Sequence, residues 1–310
     1  MPWLDKYINR NDEQMIYVFK NRFYCTDIFK HLYDEMKKRG YDVIRITDEN
    51  HDDSRKYVDA LKGEKTVLIT ADHIKDDMDY YGKKAYSIDQ CIQILKPETV
   101  FFGMHDLGIA TVDDDVTGFE IFMPDDSWAE LFEKKKCRRL HSIGHPKHFG
   151  MRQDVVYETV FFVSSVYVYA KLPMEQFRKA FPLMFEHKIP FKFPKFILSN
   201  ELIDYVRSNG IEVIDPEIES FDLLLQTRTA ISNANSSIAV EAAMAGCKSI
   251  NIGWDYVPRS IYEKYPITSV NDHGGLKVEH LHDRSHIPNA MESTRLRTDL
   301  AIDIITGAST

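Results

Sequence analysis

"ISNANSSIAVEAAMAG", Ile231–Gly246, sets a cluster of small polar residues directly before a stretch of mostly small apolar ones. The first half resists regular structure. The second half favours a helix, and Gly246 is placed to end it at the C′ position. A strand, "TAIS", leads into the junction. A strand that passes through a polar turn into a helix leaves unpaired backbone N–H groups and the positive end of the helix dipole at one point, which favours an anion there. The hydroxyls of Ser236 and Ser237 add donors, and Ala239, Ala242, Ala243 and Ala245 let the helix lie close to a sheet. Capping by Ser or Asn accounts for one of the residues Asn233, Asn235, Ser236 and Ser237, not for four. Glu241 stands four residues after Ser237, where a capping box requires three, so a plain cap does not explain it.

The same rhythm extends in both directions. "QMIYVF" reads as a strand, "CTDIFKHLYDEMKKRG" as a helix with Ile28, Leu32 and Met36 on one face, and "YDVIRI" as the next strand. "KTVLITAD" and "ETVFFGMHD" are further buried strands, with "SIDQCIQILK" as a helix between them and "FEIFMPDDSWAELFEKKK" as another strand and helix. After "HSIGHPKHFGMRQD", His141–Asp154, where Gly, Pro and polar residues cluster, the alternation resumes. "VVYETVFFVSSVYVYA", "PFKFPKF", "IEVIDP", "RTAISN" and "KSINIGW" are its strands, and "MEQFRKAFPLMFEHK", "NELIDYVRSNG" and "SFDLLLQT" its helices. The terminal "STRLRTDLAIDIITGAST" predicts one more helix. Alternation of this kind builds parallel sheets covered by helices, so the expected class is α/β with two Rossmann-like domains, residues 1–150 and 151–310.

Composition narrows the function classes. The chain has 310 residues, 44% hydrophobic and 28% charged, which suits soluble cores and leaves no apolar run near the roughly 20 residues of a membrane span. The start, "MPWLDKYINRNDEQ", has no apolar leader core, and the four dispersed cysteines suggest reduced thiols, so a cytoplasmic location is expected. A net charge of -9 argues against general nucleic-acid binding. The densest positive run is "EKKKCRRL", Glu133–Leu140, read most simply as a solvated helix end, with a local basic patch left open.

"SNANSSIAVEAAMAGCKSINIG" resembles the donor-site motif of GT-B type glycosyltransferases and their relatives, the UDP-N-acetylglucosamine 2-epimerases and CDP-glycerol glycerophosphotransferases. "LHSIGHPKHF" is similar to the segment that leads from the first domain into the second in that superfamily, without its usual acidic residue. The resemblance covers residues 95–255 in patches. It implies two domains facing across a cleft, acceptor on the first and nucleotide on the second. It further implies that Asn235, Ser236, Ser237 and nearby amides contact a nucleotide diphosphate and Glu241 the ribose. Lys192 and Lys195, in "PFKFPKF", occupy the place of a basic strand end near the diphosphate, where a cation offsets charge on the leaving nucleotide without a metal. His105, in "VFFGMHDLGIA", stands where a related branch carries its base, although Asp106 follows it in place of Gly. An imidazole can take a hydroxyl proton, and the neighbouring carboxylate can orient it or take over the role.

The expected activity is therefore metal-independent transfer of a sugar from a nucleotide sugar, UDP-linked in the relatives, to a hydroxyl acceptor, with no cofactor besides the donor substrate. Epimerisation or hydrolysis of the nucleotide sugar, CDP-alcohol phosphotransfer, and nucleotide binding without turnover stay open, as does a homodimer. Lys20 and Arg22 follow the first strand and read as surface charges, with phosphate or acceptor contact as the alternative. His273, His280, His282 and His286 lack zinc-ligand spacing, and Asp113–Asp115 reads as a solvated acidic turn.

Overall fold

The structure, a computed structural model, describes residues 14–21, 28–47, 54–71, 74, 85–104, 115–151, 153–163, 173–194, 200–233, 236–253, 264–270, 275–282 and 291–308. "IYVFKN" forms β1, Ile16–Asn21, and every one of its residues is buried. Burial on both faces is what a central strand of a parallel sheet requires. Helix α1, Lys30–Lys38, follows, with Leu32 and Met36 turned inward one helical turn apart. Gly40 then takes φ +82 and closes the turn into β2, Val43–Thr47. Helix α2, Arg55–Ala60, leads to β3, Thr66–Thr70, and α3, Ile88–Leu95, to β4, Thr99–Gly103. Ser87 starts α3 with a reciprocal capping box, its Oγ accepting from Gln90 N at 3.2 Å while Gln90 Oε1 accepts from Ser87 N at 3.0 Å.

Strands β5, Glu120–Met123, and β6, Arg139–Ser142, complete the first sheet, whose order is β2-β1-β3-β4-β5-β6 with every pairing parallel. Residues 126–136 depart from the expected helix. Asp126–Leu131 is a single 3-10 segment, started by Asp125 Oδ1 accepting from Ser127 N at 2.8 Å and anchored by buried Trp128. The chain then turns into β6, a strand that the polar pattern of "RLHS" does not announce.

The second sheet runs β12-β11-β10-β7-β8-β9, again all parallel. Its strands are β7, Tyr157–Phe162, β8, Phe191–Lys192, β9, Val213–Ile214, β10, Thr227–Asn233, β11, Lys248–Ile252, and β12, Ile267–Val270. The helix expected through Pro182 is two helices, α4, Met174–Ala180, and α5, Pro182–Glu186. Proline cannot donate within a helix but fits its first position, so the break falls at Phe181. Helix α6, Asn200–Ser208, precedes β9; α7, Ser220–Leu224, precedes β10; and α8, Ile238–Met244, joins β10 to β11. Helix α9, Val278–His282, follows β12. An aromatic core of Phe161, Phe177, Phe181, Phe185 and Phe191 packs one face of this sheet.

The chain divides into two compact units. The described residues up to Met104, from Asp115 to Phe149 and from Arg295 onward form the first, and those from Gly150 to Thr294 the second. The expected second domain, residues 151–310, does not hold together to its end, because the last segment returns to the first unit. The reason is apolar: Ala301, Ile302 and Ile305 of α10, Thr298–Thr306, join the core formed by Phe29, Leu32 and Met36. Arg39 adds an ion pair to Asp299 at 2.5 Å. Two backbone bonds hold the returning chain, Leu296 N to His148 O and Arg297 N to Ile143 O, each 2.7 Å.

Gly144 makes that approach possible. It sits at φ +92, and a Cβ there would lie 2.2 Å from Arg295 O. Gly144→Ala is expected to destabilise the first unit by at least about 2 kcal/mol, read as a lower urea midpoint. An unchanged midpoint would show that the two segments separate without cost.

Candidate functional site

In open parallel sheets ligands bind beyond the carboxyl ends of the strands, at the point where strand order reverses. In the second sheet the chain starts at β7, runs outward through β8 and β9, then returns to the other side for β10, β11 and β12. The reversal therefore lies between β7 and β10. Strand β10 ends at Asn233, and Ser236 and Ser237 follow it into α8, so topology carries the small polar residues to that crevice.

Local chemistry fixes α8. Ala239, Ala242, Ala243 and Ala245 are all fully buried, and Ser249 Oγ of β11 donates to Ala239 O at 2.7 Å. Small side chains allow this close helix–strand contact. At the other end Gly246, φ +78, donates to Ala243 O at 3.1 Å and Cys247 N to Ala242 O at 2.8 Å, the paired bonds of a Schellman stop.

The two serines have different tasks. Ser236, one residue before the N-cap Ser237, accepts through Oγ from Ile238 N, the first amide of α8, at 3.3 Å, and leaves its own proton for a further acceptor. Ser237 Oγ donates to Glu241 Oε1 at 3.1 Å, so its single proton is committed to a carboxylate. Glu241 is only 1% exposed. Of the two hydroxyls, Ser236 is thus the one able to donate to an anion, and Ser237 orients Glu241.

Lys192 ends β8, beside β7, so its strand and β10 flank β7 at roughly 10 Å. Its side chain is 2% exposed, and Nζ donates to Phe193 O at 3.0 Å and Pro216 O at 2.8 Å. The ammonium ties the chain after β8 to the chain after β9. Asn235, Lys195, His105, Asp106, Arg22, His273 and His286 lie outside the described residues. Lys20 is not the surface charge the sequence suggests: it is 1% exposed, because β1 extends to Asn21 and carries it inward at the carboxyl end of a central strand. That strand borders the first sheet's own reversal point, between β1 and β3, where Asn21 Oδ1 accepts from Ala71 N at 2.8 Å. His280 Nδ1 accepts from Lys277 N at 3.0 Å, a capping role, and Asp115 Oδ1 accepts from Thr117. Among the described residues no group of three or more His, Cys, Asp or Glu could hold a metal ion. No helix among them is long and apolar enough to cross a membrane.

A buried polar pair that the sequence does not announce lies next to the crevice, Ser232 Oγ donating to Asn251 Oδ1 at 3.0 Å across β10 and β11. His145 and His148 are likewise unannounced, and both are buried beside the returning segment. Neither announces itself locally, since the partner of each lies far along the chain or on another strand.

Two Rossmann-like units, each an all-parallel six-stranded sheet with helices, make up the GT-B fold, and the chain has that fold. Its structure is similar to that of the glycosyltransferase SnogD from Streptomyces nogalater, at TM-score 0.52 and 12% identity over 96% of this chain and 100% of that one. It is also similar to a Listeria monocytogenes protein assigned as a UDP-N-acetylglucosamine 2-epimerase, at TM-score 0.58 and 10% identity over 96% of each chain. No protein-family model matches the chain, and no curated protein matches it in sequence.

Two outcomes follow from this geometry. Lys192→Met removes the donor to two carbonyls at a buried strand end and is expected to cost about 1–3 kcal/mol in urea denaturation. Burial, with Lys147 and His148 adding repulsion, holds the His145 imidazole well below its ordinary range, and burial also lowers His31. A histidine in the unfolded chain titrates near 6.5, so below that pH the unfolded chain takes up the proton first and stability falls as pH drops. Urea unfolding at steps from about pH 7 down to about pH 5 should show stability falling with pH, the His145 share growing to about 1 kcal/mol per pH unit at the acid end. The His145→Leu variant should lose that share of the slope; an identical slope would assign it elsewhere.

Proposed function

We propose that the protein transfers a sugar from a nucleotide-sugar donor to a hydroxyl acceptor, with the nucleotide held by the second unit. One observation carries the reading: the Ser236–Glu241 segment stands at the strand-order reversal of a sheet, in a chain with the fold of a glycosyltransferase. In this reading the Ser236 hydroxyl and neighbouring amides bind the diphosphate. Glu241, oriented by Ser237, accepts from the ribose hydroxyls, and Asn235 supports the same turn. Lys195 offsets the charge of the departing diphosphate. Lys192 acts mainly by fixing the strand ends, since its ammonium already serves two carbonyls. His105 or Asp106 takes the acceptor proton, and neither metal nor cofactor takes part.

A second reading, epimerisation or hydrolysis of the nucleotide sugar, is supported by the likeness to the Listeria monocytogenes protein. Both readings share the donor site and differ in the need for an acceptor.

Thermal-shift measurement across nucleotides and nucleotide sugars tests the common part. A ligand at 100 times its Kd stabilises by about 2.7 kcal/mol. That shift should vanish in Glu241→Ala, fall in Ser236→Ala, and fall in Ser237→Ala through the lost orientation of Glu241. A ligand that stabilises Glu241→Ala as much as the parent removes the ribose assignment. With the preferred donor, release of nucleoside diphosphate only when an acceptor is added supports transfer, and an epimer or free sugar without one supports the second reading.

A further inference from the structure

The parallel first sheet has a second edge, opposite the strand ends that matter for ligands, and its charge is unlike the rest of the chain. The segments entering β2 to β6, residues 37–42 with the last two residues of α1, 61–65, 96–98, 115–119 and 132–138, together with the first residue of β6, carry ten exposed lysines and arginines against three exposed carboxylates. The whole chain has a net charge of -9. "EKKKCRR" is not a helix end here; it is the turn into the edge strand β6.

Several of these cations have local explanations. Lys38 pairs with Glu35, Arg39 with Asp299 and Arg138 with Glu120, and Lys37 lies over the Tyr33 ring at 5.7 Å. The other six, Lys62, Lys65, Lys96, Lys134, Lys136 and Arg139, carry no acidic partner among the described residues. Strand order places them in a row, since β3, β4, β5 and β6 are successive neighbours. At about 4.8 Å per strand the row is about 15 Å wide.

We propose that this amino-terminal edge of the first sheet adsorbs to an anionic lipid surface, which goes beyond the proposed activity and does not depend on it. The fit is of charge and form. Cations spread along one edge, two before β3, one before β4 and three at the start of β6, suit a plane of headgroups, where each basic residue near the surface adds independently. Binding of single-stranded nucleic acid adds aromatic faces for stacking, and no exposed large hydrophobic residue belongs to these turns. The contact uses headgroup charge alone, so it is reversible and screened by salt. Adsorption by this edge leaves the opposite one, with the carboxyl ends of the strands, directed away from the lipid.

Co-sedimentation of the full chain with vesicles tests the proposal. Binding is expected to phosphatidylcholine vesicles containing about one-third phosphatidylglycerol, and not to phosphatidylcholine alone, at about 0.1 M salt; it should be lost at about 0.5 M. The triple reversal K134E/K136E/R139E, at exposed positions, should lower the partition coefficient at least about tenfold while its thermal midpoint stays that of the parent. No binding to the anionic vesicles, or equal binding by the reversal variant, overturns the proposal. Binding of single-stranded DNA or duplex at the same salt, without vesicle binding, also overturns it and reassigns the edge to nucleic acid.

Discussion

Every strand pairing in both sheets is parallel, and that constraint organises the molecule. Parallel strands need a crossover between them, so all strands of a sheet end on one edge and all begin on the other. The loops that follow strands are thereby collected along one rim. Small polar and charged residues dispersed over the sequence, Ser232, Ser236 and Lys192 among them, come to the rim of the second unit for this reason alone. The loops that precede strands collect the cations of the first unit at its opposite rim by the same rule.

The buried polar groups mark where this arrangement is costly. A carboxylate as enclosed as Glu241 loses solvation that only hydrogen bonds can replace, and Ser237 supplies one of them. Lys192 receives two backbone carbonyls in place of water. The same bonds that make these residues tolerable also hold their orientation, so a ligand would meet groups already in position. The distinction between Ser236 and Ser237 follows from proton count: a hydroxyl has one proton to give, and only Ser236 keeps it.

The return of the C-terminal helix to the first unit shows how packing overrides chain order. Ala301, Ile302 and Ile305 form an apolar stripe that joins the core of the first unit, although the chain just before it belongs to the second. The close crossing at Gly144 and the bonds to Ile143 and His148 hold it there. A side chain at residue 144 would push the crossing apart, so a single glycine is bound up with the division of the chain.

The sequence by itself determined the class of the fold and the start of the site. Period-2 and continuous apolar runs alternating with 3.6-residue patterns specify parallel sheets, and the turn chemistry of Ile231–Gly246, with Gly246 at its end, is local enough to read directly. Local signals also misled: "SWAELFEKKK" has helical composition, yet the short link to β6 and burial of Trp128 leave it one 3-10 segment, and Lys20 reads as a surface charge until β1 is seen to continue past it. Only tertiary structure decided the burial of Glu241, the Pro216 carbonyl on Lys192, the Ser232–Asn251 pair, the burial of His145 and the side to which α10 returns. The physical reason is distance along the chain: helix periods and caps are set within a few residues, whereas strand order and buried polar pairs are set by contacts that no short window of sequence contains.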